Sequence, residues 1–263
     1  MFIDTHAHLM FDQFKGEVPD VLQRAHAAGV TKIINVGCSI EASKEAFKQV
    51  GEYNARYKID LFATLGLHPY DASDFSDKLL DEWARMIEVA GGSTGGKIVG
   101  IGEIGLDYFK APVPHDIQKK AFRGQLQFAS QMKLPVIIHD READEDCLEI
   151  LEEFPDLKVV FHCYASTLEF AKRLWAKGYY TSFTGIITYP KSDELRKVVS
   201  ACPEGQFMIE TDCPYLAPQS VRGERNEPAH VVEVAKEVAK LKDLTVEDAG
   251  KISGENAKIF FGL

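Results

Sequence analysis

Eight short apolar runs rich in β-branched residues recur along the chain, at 1–5, 32–36, 61–65, 98–101, 136–138, 159–161, 179–183 and 207–209. Near-continuous hydrophobic runs of this length describe strands buried on both faces, as in a parallel sheet covered by helices. Amphipathic stretches fill the intervals. Ser39 is placed to cap a helix bearing Ala42, Ala46, Phe47 and Val50 on one side, and Ser166 with Glu169 forms a capping box before Phe170, Leu174 and Trp175, with Gly178 closing that helix. Further helices are expected at 18–28, 77–90, 116–132, 142–154, 193–201, 229–241 and 255–261. Eight strands, each followed by a helix, predict an α/β fold of the (β/α)8 TIM-barrel type rather than an open doubly wound sheet. No G-x-G-x-x-G follows the first run to support a dinucleotide fold.

A barrel uses a length of 263 residues as one domain, and no Pro/Ser-rich linker or fixed-period repeat divides the sequence. A single domain over 1–263 is therefore expected. The Gly-Gly-Ser-Thr-Gly-Gly run at 91–96 reads as a long connection from helix to strand on the face opposite the active site.

With 30 Lys+Arg against 40 Asp+Glu, the net charge of −10 has the wrong sign for holding nucleic acid on a broad basic surface. A phosphate-bearing partner has to be met by local charge, above all by a bound metal. The five cysteines are odd in number and form no C-x-x-C, which argues against a disulfide framework and a thiolate zinc site and for a reduced compartment. No basic-then-apolar segment opens the chain and no apolar stretch reaches membrane-spanning length, so a cytoplasmic protein with no membrane association is expected.

In such a barrel, chemistry gathers where the strands end at their carboxyl side. His6 and His8, two apart on the first strand, project to the same face. His68 follows the third run, Glu103 the fourth, His139 the fifth, His162 the sixth and Asp212 the eighth, so five of the eight histidines lie just past a strand. His26, His115 and His230 fall in or at the start of helices and carry no expected role. His6, His8, Glu103, His139, His162 and Asp212 are too many ligands for one catalytic zinc and about right for two ions. Two divalent ions about 4 Å apart repel by about 16 kcal/mol at an effective dielectric of about 20, so an anion has to sit between them. Glu103 is the natural bridging carboxylate. Cys163 and Cys213 flank ligands but read as small buried hydrophobes rather than nucleophiles.

Together with Phe2-Ile3-Asp4-Thr5-His6-Ala7-His8, the runs Gly66-Leu67-His68-Pro69-Tyr70, Gly102-Glu103-Ile104-Gly105-Leu106-Asp107-Tyr108, Pro135-Val136-Ile137-Ile138-His139 with Arg141-Glu142-Ala143, Phe161-His162-Cys163, Glu210-Thr211-Asp212-Cys213-Pro214-Tyr215-Leu216 and Arg225-Asn226-Glu227-Pro228 resemble the TatD family of metal-dependent deoxyribonucleases. These belong to the amidohydrolase-like barrels. The resemblance implies a binuclear site at the carboxyl ends of the strands, with His6, His8, Glu103 and Asp212 on one ion and Glu103, His139 and His162 on the other. Tyr164-Ala165-Ser166 departs from the family's usual Phe-Ser-Gly, which puts the substrate-facing loop, not the metal site, in question.

The expected reaction is hydrolysis of a DNA phosphodiester with Mg, Mn or Zn, a divalent ion lowering the pKa of bound water from about 15.7 towards about 7. Asp212 is the candidate to orient or deprotonate that water, beside Glu103 and His68 in the catalytic group. His68 and Arg225 are candidates for the phosphate or leaving oxygen, and Arg141 for the same task or for bracing its loop; Arg225 can equally pair with Glu227 as a surface arginine. Asp107 and Glu210 are candidates to hold imidazole tautomers. Tyr70, Tyr108, Tyr164 and Tyr215 follow strand ends, where each can stack a base, worth about 1–3 kcal/mol, or merely line the pocket. The acidic charge suits a reader of strand ends better than a clamp around long duplex, and with it the resemblance implies 3′-to-5′ exonuclease action on single-stranded DNA or 3′ ends; no obligate protein partner is expected. Two alternatives remain: the same site acting on a cyclic amide, ester or aminoacyl-tRNA carbonyl, and a non-enzymatic metal or scaffold protein.

Overall fold

The computed structural model describes residues 1–54, 56–91 and 97–263. Among them run eight strands and nine α-helices: β1 Phe2–Ala7, α1 Val18–Ala27, β2 Val30–Val36, α2 Ile40–Tyr53, β3 Asp60–Leu65, α3 Asp77–Val89, β4 Ile98–Asp107, α4 His115–Met132, β5 Val136–Arg141, α5 Asp144–Glu152, β6 Val159–Phe161, α6 Leu168–Ala176, β7 Tyr180–Phe183, α7 Asp193–Ala201, β8 Phe207–Ile209, α8 Val231–Lys242 and α9 Val246–Phe261. Every consecutive strand pair is parallel, in the order β1 to β8. The TIM barrel is as expected. Residues 92–96 of the glycine-rich connection lie outside the described residues.

The barrel is closed at a short seam between β8 and β1. The Asp212 amide donates to the His6 carbonyl and the His8 amide to the Cys213 carbonyl, both at 2.9 Å. Side chains reinforce it: Thr211 Oγ1 donates to Asp4 Oδ2 at 2.6 Å, the Thr211 amide to Asp4 Oδ1 at 2.9 Å, and Thr5 Oγ1 to the Ile209 carbonyl at 3.1 Å. The seam thus sets His6, His8 and Asp212 in register with one another.

Apolar residues alternate between two cores with the period of a strand. Ile33, Val136, Ile138, Val159 and Phe161 face the helices, where they meet residues such as Trp83, Phe122 and Leu126. Ile34, Ile137 and Val160 turn into the barrel with Ile3, Phe62, Val99 and Met208. The mouth at the amino-terminal ends of the strands is closed by Ala257, Phe260 and Phe261 of α9.

Several expected boundaries are corrected. Helix α9 begins at Val246, not 255; Thr245 caps it by accepting from the Asp248 amide at 3.0 Å. Its buried face carries Gly250, Ser253 and Gly254, small residues that weaken the apolar pattern. Strand β1 lies against Gly250, where a Cβ would come within 2.5 Å of the Phe2 ring, and Ser253 Oγ accepts from the Ile209 amide of β8 at 3.0 Å. Strand β4 continues from Ile101 through to Asp107, so Glu103 sits within the strand rather than past its end. Its glycines mark the close approach of β5: Gly105 has φ 145°, and a Cβ there would overlap the His139 carbonyl. Thr167, not Ser166, caps α6, accepting from the Phe170 amide at 3.2 Å, while Ser166 donates to Asp144. Ser39 caps α2 as expected, accepting from the Ala42 amide at 3.1 Å. Helix α5 is shorter than 142–154 because Glu142 adopts a left-handed conformation, φ 55°. No helix among the described residues is long and apolar enough to cross a membrane.

Candidate metal centre

Strand β1 and the residue just past it deliver His6 Nε2 and His8 Nε2 to one point, 3.1 Å apart. Glu103 Oε2, from β4, lies 3.5 Å and 3.6 Å from these two atoms, and Asp212 Oδ1, just beyond β8, lies 3.8 Å and 3.5 Å from them. Donors around a tetrahedral ion with bonds of about 2.0–2.2 Å stand about 3.3–3.6 Å apart, close to these separations. The other oxygen of Glu103 serves a second group. Oε1 is 2.8 Å from His139 Nδ1, 2.9 Å from His162 Nε2 and 3.4 Å from His68 Nε2, and His139 Nδ1 and His162 Nε2 are 3.5 Å apart. One buried carboxylate therefore divides its two oxygens between two clusters of nitrogen donors.

Surrounding groups decide which imidazole nitrogen is free. His8 Nδ1 is 2.8 Å from the Val36 carbonyl, which can only accept, so the proton lies on Nδ1 and the lone pair of Nε2 faces the centre. His139 Nε2 is 3.3 Å from Asp107 Oδ2, leaving Nδ1 towards Glu103. Asp107 is itself held rigidly, accepting from the amides of Phe109 at 2.9 Å and Lys110 at 2.7 Å. His162 Nδ1 lies 3.3 Å from Glu210 Oε1 without hydrogen-bond geometry, and Glu210 Oε1 accepts from the Cys163 amide at 2.7 Å.

Burial pushes the carboxyls of this cluster up, but the imidazoles more than offset it. The charge of His162, with hydrogen bonds from His139 and His162, holds Glu103 well below the usual range; Asp212 is lowered by His8, and Asp107 by His139 and the two amides. Burial pushes His68 down to about 3, so it is neutral; its Nδ1 accepts from the Tyr70 amide at 3.2 Å, which leaves the proton on Nε2, facing Glu103. His8, His139 and His162 are buried too, yet their carboxylate neighbours raise them.

This donor set fits divalent cations. No lysine or arginine ion-pairs with Glu103 or Asp212 among the described residues. Contacts such as His6 Nε2 to His8 Nε2 and His139 Nδ1 to Glu103 Oε1 oppose electron pairs unless a proton or a cation lies between them. Asp107→Asn weakens the hold on the His139 tautomer, and metal affinity is expected to fall about 10–100-fold, checked by titration calorimetry.

The expected residues divide. His6, His8, His68, Glu103, His139, His162 and Asp212 converge. Arg141 is exposed at the rim, its guanidinium 4.2 Å over the ring of Phe109. Tyr108 stacks on His115 at 3.7 Å and donates to Asp146 Oδ2 at 2.6 Å, so one of its faces is covered. Tyr164, expected to meet substrate, is 3% exposed and donates to the Thr167 carbonyl at 2.6 Å; it packs in the core and has no face for a base. Arg225 donates to Glu17 Oε2 at 2.8 Å and to the Gln13 carbonyl, and lies over Phe14. Its expected alternative partner Glu227 is instead taken by Arg24, at 2.6–3.0 Å.

Sequence reasoning missed Phe11, which stacks on His8 at 4.7 Å, the exposed Phe109, and the pair formed by Tyr189 and Arg222. Phe11 and Phe109 lie within three residues of named positions, and that proximity was the available signal. Tyr70 and Tyr215 are open, 38% and 51% exposed. Beside the centre lies a cavity of about 760 Å³, lined among others by Tyr108, Asp140, Asp144, Asp146 and Ser166. Burial, with Asp144 adjacent, pushes Asp140 up to about 8.

A TIM barrel carrying histidine and carboxylate donors at the carboxyl ends of its strands defines the class: a metal-dependent hydrolase. A family model described as TatD related DNase matches residues 3–262, and the chain belongs to that family. It is 38% identical over 263 residues to the uncharacterized metal-dependent hydrolase YabD of Bacillus subtilis, covering 99% of each. It is 30% identical over 270 residues to the 3′-5′ ssDNA/RNA exonuclease TatD of Shigella flexneri, covering 99% of this chain and 98% of that protein. Among solved structures it is similar to the TatD homologue YjjV of Escherichia coli, with a TM-score of 0.90, 30% identity and coverage of 100% and 98%.

Proposed function

We propose that the protein is a deoxyribonuclease that removes nucleotides from the 3′ end of single-stranded DNA with two divalent ions, Mg, Mn or Zn, and that residues 1–263 act as one domain in the cytoplasm. The observation that carries this reading is the division of Glu103 between two donor clusters. His6, His8, Glu103 and Asp212 would hold one ion, and Glu103, His139 and His162 the other. When bound, such ions neutralise the phosphate and acidify water from about 15.7 towards about 7.

The chain's own groups supply the rest. Asp212 stays ionised and takes up the proton of the attacking water at its carboxylate. His68, neutral, lies 3.4 Å from Glu103 Oε1 and hydrogen-bonds the phosphate or leaving oxygen. Arg141 meets a phosphate at the rim, and the open rings of Tyr70, Phe109 and Tyr215 offer stacking surfaces that tolerate any base. The printed name of the Shigella flexneri relative supports the same substrate class. One observation favours a neutral carbonyl substrate instead: Glu142 and Asp144, with no cation paired to either among the described residues, line the adjacent cavity and repel a polyanion.

The test uses 5′-labelled single-stranded DNA with chelator-stripped protein, to which magnesium, manganese or zinc is returned. A metal-dependent ladder shortening from the 3′ end is expected. Intact DNA with every metal, while a cyclic amide or ester is hydrolysed, would transfer the site to carbonyl chemistry.

A further inference from the structure

The loop after β8 carries two arginines in different electrostatic situations. Arg225 is spent on Glu17, the Gln13 carbonyl and the Phe14 ring, so its charge is already matched within the fold. Arg222 is exposed and has no carboxylate within ion-pairing distance among the described residues. Its guanidinium instead lies 3.8 Å over the ring of Tyr189. A cation stacked on an aromatic face loses freedom without losing charge, and its N–H edge stays available for bidentate contact with a phosphate.

The platform beneath it is built into the site. Tyr189 follows β7 and donates from its hydroxyl to the Ala217 carbonyl at 2.9 Å. Gln219 donates its amide to Thr188 Oγ1 at 2.8 Å, joining the loops after β7 and β8. On the other side of Arg222, Asn226 Nδ2 donates to the carbonyls of Thr211 at 2.8 Å and Tyr215 at 2.7 Å. Thr211 adjoins the ligand Asp212, and Tyr215 is an open ring of the rim. Asn226, four residues on from Arg222, thus ties that loop to the strand end that bears Asp212, and the loop is separate from the acidic residues after β5.

We infer that Arg222, held on Tyr189, grips a backbone phosphate of the polynucleotide outside the metal centre, in the place expected of Arg225; this rests on the nuclease reading above. With a net charge of −10, an unpaired and oriented cation, apart from Arg141 at the end of β5, helps set where a strand can lie.

The experiment measures kcat and KM of the metal-loaded protein on a 5′-labelled oligothymidylate, from about 50 to about 300 mM salt, for the wild type, R222A, R222K and R225A. R222A is expected to raise KM about tenfold with kcat changed less than about twofold. The slope of log KM against log salt should fall by about 0.7, the value of one phosphate contact on a single strand. R222K should recover the slope but only part of the affinity, because lysine keeps the charge and loses the planar fork. R225A should keep the wild-type slope and lower the melting temperature. An R222A enzyme with wild-type KM and slope overturns the assignment, as does loss of slope in R225A. Wild-type protein inert towards DNA removes the nuclease reading and this assignment with it, an outcome distinct from active enzyme indifferent to Arg222.

Discussion

Replacing Glu103 by glutamine is expected to reduce hydrolysis by more than about 100-fold, beyond the loss that follows removal of a supporting hydrogen bond. Glutamine has the same shape but a single acceptor oxygen. One cluster, either His6, His8 and Asp212 or His139, His162 and His68, would then face an NH2 donor where a carboxylate oxygen stood. The lost charge matters as much, since two close divalent ions repel by about 16 kcal/mol at a dielectric of about 20 without an anion between them. Elemental analysis should show reduced bound metal in E103Q, while circular dichroism shows an intact barrel. Wild-type turnover in that variant would remove Glu103 from the chemistry.

Phe260→Ala should cost about 3–5 kcal/mol of stability, the range for emptying a phenylalanine site in a closed core. Phe260 is 1% exposed, packs edge-on against Tyr180 at 5.2 Å and Phe261 at 4.8 Å, and closes the barrel at the mouth remote from the metal centre. The neighbouring Ile259 is 63% exposed, so Ile259→Ala should stay within about 0.5 kcal/mol of the wild type. Urea denaturation of the two variants checks both. Equal midpoints would mean that α9 does not plug the barrel.

The TIM barrel and the metal-ligand candidates were legible in the chain itself because both rest on local rules. Buried parallel strands require unbroken apolar runs, and a ligand at a strand's carboxyl end has to appear within a few residues of such a run, as His6, His8, His139 and His162 do. Where buried residues are small, the same rules fail. Gly250, Ser253 and Gly254 concealed two turns of α9, and Gly102 and Gly105 cut the apolar run of β4 short at 101, because an apolar pattern does not register a neighbouring strand or ring pressed against a glycine.

Roles that depend on what lies across the fold were decided only by tertiary structure. Tyr164 follows a strand end like the other tyrosines but is buried, while Tyr215 is open. Arg225 and Arg222 stand three residues apart in one loop, and nothing local distinguishes them. Glu17, from the far end of the chain, neutralises the first, and Tyr189 seats the second without neutralising it. Sequence patterning determined which residues reach the mouth of the barrel; which of them keep a free charge or an open face is a property of partners that only the closed barrel brings together.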